Sequence, residues 1–279
     1  MRSGPYRTAI VYDFDGTLAP GNLPEHSFIP QLGMEIKDFW KSVKDLARKE
    51  DADEILMYMR LMLERADEIK RPITEDELFE HGKTVGLFLG LETWFDRVNQ
   101  YAKERNLILE HYIISSGLHE MIRASPIYPR FRSVFASRFM YKNEVAVWPA
   151  VAINYTTKTQ FLFRINKGIE NTWDNESVNR WVPYEERSIP FERMIFIGDG
   201  ETDIPSMKMV RAQGGNSIAV FDKDEWSNHT QKIYRLIAED RCQFVVPADY
   251  SDGSQLDITT RGILGRIARD CGYRGEERA

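Results

Sequence analysis

Two aspartates at the end of a short apolar segment constrain this chain more than any other feature. Residues 8–12 (TAIVY) are mostly apolar, and Asp13 and Asp15 follow them directly, with Gly16 and Thr17 next. A short apolar run bounded by turn residues is typical of a strand covered on both faces of a sheet. Gly16 and Thr17 favour a sharp turn after it. In open α/β sheets, ligands bind outside the carboxyl ends of the strands, so we expect both carboxylates to face that crevice.

A second acidic cluster follows another apolar segment much later in the chain. Residues 193–198 (RMIFIG) precede Asp199, and Asp203 stands four positions further on. A lone Asp-x-Asp pair is common in solvated loops and helix caps, whereas two clusters at strand ends indicate a site for a hard cation. Mg²⁺ typically takes one or two protein carboxylates and completes its shell with water and substrate phosphate. We therefore expect Mg²⁺ as the cofactor.

Four motifs, in this order, resemble those of the haloacid dehalogenase-like hydrolases, a superfamily made up largely of phosphatases. The first motif, D-x-D-G-T after a strand, matches residues 13–17, and the second, an apolar strand ending in Ser or Thr, matches residues 112–115. The third is a single lysine, matched by Lys158. The fourth, G-D-G-x-x-D, matches residues 198–203. The resemblance spans roughly residues 8–260.

Two of these motifs leave alternatives open. Lys158 begins a predicted helix after a polar turn, whereas Lys167 stands in the last turn, where a lysine commonly interacts with the helix dipole. Ser115 directly ends the apolar run and is the expected second-motif residue, with Ser116 as the alternative and Gly117 following. We expect Lys158 and Ser115 to be the functional pair.

The resemblance implies a role for each matched residue. Asp13 would attack phosphorus and form an aspartyl-phosphate, and Asp15 would protonate the leaving alkoxide and later activate water. Mg²⁺ would be bound by Asp13, the main-chain carbonyl of Asp15, and Asp199. Asp203 would orient Lys158 or a metal-bound water from behind. The residues expected to bind phosphoryl oxygens are Ser115, Ser116, Gly117 and Lys158.

The second aspartate of the first motif also distinguishes reaction classes. Superfamily members that cleave carbon–halogen bonds generally lack an acid at the position of Asp15, because halide leaves without a proton, whereas phosphatases and phosphomutases carry it. The expected function is Mg²⁺-dependent hydrolysis of a small phosphorylated metabolite. A phosphomutase is the alternative, and a non-catalytic module that binds a phosphorylated ligand is a third interpretation.

The pattern of predicted elements indicates an α/β fold, with a Rossmann-like, doubly wound parallel sheet and a smaller α-helical cap domain. Beyond Asp203, strands alternate with helices, which is typical of parallel sheets with right-handed crossovers. Residues 21–107 carry several apolar stripes at helical spacing and are expected to form the cap, as in the phosphoserine phosphatase-like subgroup. Residues 1–20 and 108–279 would form the catalytic core.

Several residues in the predicted cap are candidates for substrate contact. Glu25 and His26 lie shortly after the first motif, and Arg60 and Arg65 lie on a predicted cap helix. A methionine-rich stripe on the same helix either lines a pliable pocket or packs in the core. Its members are Met57, Met59 and Met62.

Composition argues against several other classes of function. The 279 residues carry a formal net charge of −6, whereas a general nucleic-acid binder would show a basic stripe. No apolar run approaches the roughly 20 residues of a membrane span. Cys242 and Cys271 are too few for a disulfide framework, so we expect a cytoplasmic protein that contacts neither nucleic acid nor membrane.

Overall fold

A central sheet of seven strands organises the fold. The computed structural model describes residues 4–200 and 202–272, and the strands within them are β1 (Tyr6–Tyr12), β2 (Leu107–Leu118), β3 (Ser133–Lys142), β4 (Val145–Val151), β5 (Met194–Gly198), β6 (Asn216–Phe221) and β7 (Phe244–Pro247). Their order is β4-β3-β2-β1-β5-β6-β7, and all neighbours run parallel except the antiparallel pair β3–β4. The predicted α/β class is therefore confirmed.

Helices cover both faces of this sheet. In the described residues they are α1 (Leu23–Gln31), α2 (Ile36–Glu50), α3 (Glu54–Glu68), α4 (Glu75–Gly82), α5 (Leu91–Lys103), α6 (His119–Arg123), α7 (Lys158–Lys167), α8 (Asn175–Asn179), α9 (Ile204–Ala212), α10 (Trp226–Ala238) and α11 (Gln255–Asp270). Ile10 and Tyr12 of β1 belong to the core with α5 and α11, whereas Ala9 and Val11 belong to the core with α7 and α9. Alternation along a strand produces these two layers. None of the described helices is both long enough and apolar enough to span a membrane.

The direction of strand addition reverses beside β1. β2 and β3 extend the sheet on one side of β1, and β5, β6 and β7 extend it on the other. The Asp13 N–H donates to the Ile197 carbonyl at 2.9 Å, so pairing between β1 and β5 continues to the carboxyl edge. Residues that follow β1 and β5 therefore lie side by side at the switch point, where doubly wound sheets bind ligands.

A layer formed by α1 to α4 lies over this carboxyl edge. The hairpin of β3 and β4 connects the sheet to that layer, because the Ala146 N–H donates to the Ile73 carbonyl at 2.8 Å. Just after β4, the Tyr155 hydroxyl donates to the Glu54 carboxylate at 3.0 Å. The layer is thus attached to the core through the hairpin and through the loop that follows β4.

The range 21–107 that was expected to form the cap also contains α5, and this helix packs on the sheet. The Trp94 indole N–H donates to the buried Tyr12 hydroxyl at 2.9 Å, and Phe95 contacts the same tyrosine ring. We therefore propose that the cap consists of α1 to α4 and ends before Leu91.

The polar segment 168–187 folds around a buried arginine of α7. Arg164 is 1% exposed and donates to three main-chain carbonyls of the segment at 2.8–3.1 Å. At the end of the same helix, the Lys167 ammonium donates to the carbonyls of Val178 and Arg180 at 2.5 and 2.7 Å. Lys167 thus stabilises this segment, and it lies away from the carboxyl edge of the sheet.

Candidate active site

Three aspartates converge at the switch point. Asp13 and Asp199 directly follow β1 and β5, and Asp203 precedes the first turn of α9. One carboxylate oxygen from each lies within 4.8 Å of the others. Asp13 and Asp203 are buried and Asp199 is half-buried. The arrangement offers hard oxygen donors of the kind that Mg²⁺ prefers.

A buried lysine lies between two of these carboxylates. Lys158 is the first residue of α7 and is fully buried, and its Nζ lies 2.9 Å from Asp13 Oδ2 and 2.7 Å from Asp203 Oδ1. Burial alone would lower the pKa of Lys158, but the two carboxylates raise it above its ordinary value. The ammonium is therefore charged, and it is a compact point charge of the kind that binds phosphoryl oxygens.

One lysine does not compensate all the negative charge of the cluster. Burial, followed by the proximity of Asp13, raises the pKa of Asp203 to about 8. Burial also raises the pKa of Asp13, although Lys158 opposes that effect. Asp203 Oδ2 is buried and has no hydrogen-bond partner among the described residues. A cation beside the three carboxylates would stabilise their charged forms, so the residues present fit Mg²⁺.

Asp15 lies beside this cluster and is fixed by the start of α1. The Leu23 N–H donates to Asp15 Oδ1 at 2.9 Å. Burial is the largest cause that raises the pKa of Asp15, to about 8, and the charge of Asp13 adds to it. A raised pKa favours the protonated carboxyl, which is the state that a general acid needs.

Glycines allow the main chain to approach these carboxylates closely. Gly16 has φ +70°, and a Cβ at this position would lie 3.0 Å from the Asp199 carboxylate. At Gly117, near the end of β2, a Cβ would lie 2.7 Å from Asp15 Oδ2, so that carboxylate oxygen would have to shift. Any side chain at either position would displace an acidic group of the site.

The two adjacent serines of β2 occupy different environments. Ser115 is fully buried, and its Oγ accepts a hydrogen bond from the Gly117 N–H at 3.0 Å, which leaves its own O–H to donate. Ser116 Oγ is buried without a partner in the part of the chain that the structure describes. Only Ser116 lines the cavity beside Asp13 and Asp15. Both hydroxyls therefore remain candidates for contact with a phosphoryl group.

Two adjacent cavities open at the carboxyl edge. The inner cavity has a volume of about 260 Å³ and is lined by Asp13, Asp15 and Asp199, among others. The cap cavity has a volume of about 390 Å³ and extends from Asp15 into the layer of α1 to α3. Asp15, Asn22, Ser116 and Thr202 line both cavities. A ligand whose reacting group lies at the aspartates can thus extend its remainder under the cap.

Only part of the expected substrate-contact set lines these cavities. Glu25 lines the cap cavity. His26 is exposed, its ring Nε2 lies 3.0 Å from the Pro20 carbonyl oxygen, and it lines neither cavity. Arg60 and Arg65 pair with glutamates of their own helix and also line neither. The methionine stripe is buried in the hydrophobic core, so of its two interpretations the structure supports packing.

Sequence reasoning missed most of the cap-cavity lining. Two of these lining residues are aromatic and lie on the buried faces of α2 and α3. The indole N–H and the phenol O–H are polar groups on otherwise apolar faces, and they are the signal in the sequence that could have indicated a cavity wall. A third comes from the loop after β4, far along the chain. The missed lining residues include Trp40, Lys44, Glu54, Tyr58 and Tyr155.

Comparison with known proteins identifies a matching family, a relative in sequence and two solved structures of similar fold. Residues 10–208 match the family model of the haloacid dehalogenase-like hydrolases. An uncharacterized protein of Borreliella burgdorferi is 26% identical over 276 residues, covering 89% of this chain and 93% of that protein. A HAD family hydrolase from Salmonella enterica serovar Typhi has a TM-score of 0.58 at 17% identity, over 94% of this chain and 73% of that one. A phosphoserine phosphatase, solved as a phospho-aspartyl intermediate analogue, has a TM-score of 0.51 at 17% identity, over 86% and 93%.

The matched family range covers well over half of the chain and contains all four motifs. It begins within β1, before Asp13, and ends in α9, after Asp203. The two solved structures share the fold with this chain. The resemblance drawn from the motifs is thereby confirmed: the chain belongs to the haloacid dehalogenase-like hydrolases.

Proposed function

We propose that this protein is a Mg²⁺-dependent phosphatase that hydrolyses a small phosphorylated metabolite through an aspartyl-phosphate on Asp13. The observation that carries the proposal is the buried Lys158 between Asp13 and Asp203, with Asp199 beside them and Asp15 at the entrance to the cap cavity. Membership of a hydrolase family supports it. The phosphoserine phosphatase of similar fold, captured as a phospho-aspartyl analogue, supports the covalent route.

Asp13 is positioned as the nucleophile. Its Oδ1 accepts a hydrogen bond from the Phe14 N–H at 2.7 Å, and its Oδ2 lies against Lys158, so the carboxylate is fixed at both oxygens. Attack of a carboxylate oxygen on phosphorus forms an acyl phosphate and releases the alkoxide of the substrate. Lys158 would neutralise charge that builds up on the phosphoryl oxygens, without reorganisation at the moment of reaction.

The remaining residues serve the metal and the proton. Mg²⁺ would be held by Asp13 and Asp199 and by the Asp15 main-chain carbonyl, and when bound it would offset the repulsion between the nucleophile and the phosphoryl group. Asp203 would orient Lys158 through Oδ1. Asp15 would donate its proton to the leaving oxygen and then take one from the water that hydrolyses the intermediate.

Removal of the metal should abolish activity, and added Mg²⁺ should restore it. Without a cation, Asp13 and the phosphoryl group repel each other at contact distance. Asp199→Asn should raise the Mg²⁺ concentration required for half-maximal turnover, because one charged donor is lost. Asp45→Asn, on the exposed side of α2 and outside both cavities, is the control and should leave that concentration unchanged. Full activity of the parent protein in excess chelator would contradict the metal assignment.

Asp15→Asn should affect substrates according to their leaving groups. General acid catalysis is typically worth about 10²–10⁴-fold, and we expect a loss of that size in the first step for alkyl phosphates. Aryl phosphates, whose phenolate needs no proton to leave, should lose less in that step. Rapid-quench measurement of intermediate formation with both substrate types checks this. Equal losses would remove Asp15 from the acid role.

Gly16→Ala should impair the site more than the fold. Gly33 has nearly the same φ, +73°, but nothing lies within 4 Å of a Cβ there, so Gly33→Ala controls for backbone strain alone. Both variants should lose about 1–2 kcal/mol of stability, measured by thermal or denaturant unfolding. Only Gly16→Ala should also weaken Mg²⁺ activation, since only its Cβ displaces Asp199. Equal Mg²⁺ activation constants in the two variants would show that Gly16 is required only for the turn.

A further inference from the structure

The cap cavity contains two carboxylates that no described cation neutralises. Glu25 Oε1 accepts hydrogen bonds from the Trp40 indole at 2.6 Å and from the Asn22 amide at 2.7 Å. Glu54 Oε2 accepts the bond from Tyr155. All these donors are neutral, and neither glutamate forms an ion pair within residues 4–200 and 202–272. Both side chains are therefore held in place while their negative charge remains available to a ligand.

The positive charge that lines the same cavity is small. Lys44 lies at its rim on an exposed position of α2, and no ion pair joins it to Glu25 or Glu54. A long exposed lysine keeps its ammonium in water and leaves only its stem at the surface of the cavity. No arginine is among the described lining residues. The interior of the cap cavity is thus net negative.

Aromatic surfaces complete the lining. The rings of Trp40 and Tyr58 pack at a centroid distance of 5.6 Å with an interplanar angle of 50°, and Tyr155 lines the cavity from the loop after β4. Tyr58 is only 3% exposed, yet its hydroxyl has no hydrogen-bond partner in the described chain. An unpartnered phenol in a cavity wall points to a ligand that supplies the missing contact.

Carboxylates beside aromatic rings are the combination that recognises organic cations, because ammonium groups are attracted both by the charge and by the electron-rich ring faces. We propose that the cap cavity binds a positively charged leaving group. Given the phosphatase activity proposed above, the substrate would be the phosphate monoester of a small alcohol that carries an ammonium group. Asp13 attacks phosphorus as the ester P–O bond breaks, and the leaving oxygen takes the proton of Asp15 to give the amino alcohol. Water then hydrolyses the aspartyl-phosphate and releases inorganic phosphate.

The same lining distinguishes this substrate class from phosphorylated amino acids. Serine phosphate carries a carboxylate as well as an ammonium group, and the two cavity glutamates would repel that carboxylate. Among the described lining residues, Lys44 is the one cation that could pair with it, but its ammonium lies in water at the rim. We therefore expect a cationic alcohol phosphate to be preferred over serine phosphate.

The test compares cationic substrates with a neutral isostere and with a substrate that also carries a carboxylate. Choline phosphate and ethanolamine phosphate supply the cation, 3,3-dimethylbutyl phosphate is the neutral carbon isostere of the former, and serine phosphate adds the carboxylate. We expect kcat/KM for at least one cationic substrate to exceed that of the neutral isostere by about tenfold or more. A value for serine phosphate as high as for the preferred cationic substrate would overturn the proposal.

Variants of the two cavity glutamates test whether the cap cavity causes the preference for a cationic substrate. Glu25→Gln and Glu54→Gln should each lower the ratio of kcat/KM for the cationic substrate to that for its neutral isostere, and the double variant should bring it close to one. Asp45→Asn removes a negative charge from the exposed side of α2, outside both cavities, and should leave the ratio unchanged. An undiminished ratio in the double variant would locate the preference elsewhere and contradict the proposal.

Failure of this inference is distinguishable from failure of the proposed function. An aryl phosphate such as p-nitrophenyl phosphate reports phosphatase chemistry without requiring a cationic group. Hydrolysis of the aryl phosphate with equal kcat/KM for cationic and neutral alkyl esters would overturn the substrate class alone. Hydrolysis of none of these esters in the presence of Mg²⁺ would overturn the phosphatase assignment, and the substrate class with it.

Discussion

Asp13→Asn is expected to abolish turnover while the fold is retained. The amide keeps the shape of the side chain but lacks the charge needed to attack phosphorus, so we expect a loss of at least about 10⁴-fold in kcat, as for other nucleophile removals. Lys158 keeps its ion pair with Asp203 in this variant, so the core of the site stays paired. Steady-state kinetics and thermal unfolding of the same preparation measure the two effects.

The control for this variant is the same substitution at another aspartate, which changes the net charge by the same amount. Asp45→Asn, on the exposed side of α2, should retain the activity of the parent protein. Retention of more than about one per cent of kcat by a folded Asp13→Asn protein would exclude Asp13 as the nucleophile.

Lys158→Met should have the largest combined effect on activity and stability. The substitution leaves the buried Asp13 and Asp203 without their shared cation, and breaking a buried ion pair in this way typically costs about 3–5 kcal/mol. Activity should fall by several orders of magnitude, since the phosphoryl oxygens lose their point charge. Denaturant unfolding in the presence of chelator, together with turnover in excess Mg²⁺, measures both.

The stability loss in Lys158→Met should depend on pH in a defined direction. Without the ammonium, the pKa values of Asp13 and Asp203 rise further above those of the unfolded chain. A carboxyl with a raised pKa in the folded state loses stability as pH increases toward that pKa, because ionisation is easier in the unfolded state. The deficit relative to the parent protein should therefore be larger near pH 9 than near pH 6. An equal deficit at both would indicate a packing defect.

A double variant separates the structural and the chemical contribution of the lysine. Lys158→Met combined with Asp203→Asn removes one of the two unpaired carboxylates and should recover part of the stability. It should recover none of the activity, because the charge opposite the phosphoryl group is still absent. Recovery of turnover along with stability would show that Lys158 acts only as a structural counter-ion.

The first motif was predictable from local sequence because its strand, carboxylates and turn are contiguous. β1 was expected from residue 8 and begins at residue 6, and Gly16 adopts the positive φ that a sharp turn requires. The helix that begins at Lys158 was likewise predicted from its apolar spacing. That the lysine reaches Asp203, 45 positions later, has no local signal and could be expected only from the resemblance.

Two features depended on packing and could not be predicted. Trp94, Phe95 and Val98 form an apolar stripe that would look the same on a cap helix and on a helix covering the sheet, because periodicity identifies a buried face but not its partner. The cap cavity joins Trp40 and Tyr58 of the cap to Tyr155 after β4, and only the docking of the hairpin against α3 brings them together.

The covalent intermediate is the most direct test of the account. Parent protein and the Asp15→Asn variant would be acid-quenched during turnover of a phosphate-labelled aryl ester, digested, and analysed by peptide mass spectrometry. We predict the label on Asp13, with greater occupancy in Asp15→Asn, because the hydrolysis of the intermediate has lost its base. Label on Ser115, Ser116 or a histidine, or no covalent label while the parent protein turns over, would contradict the mechanism.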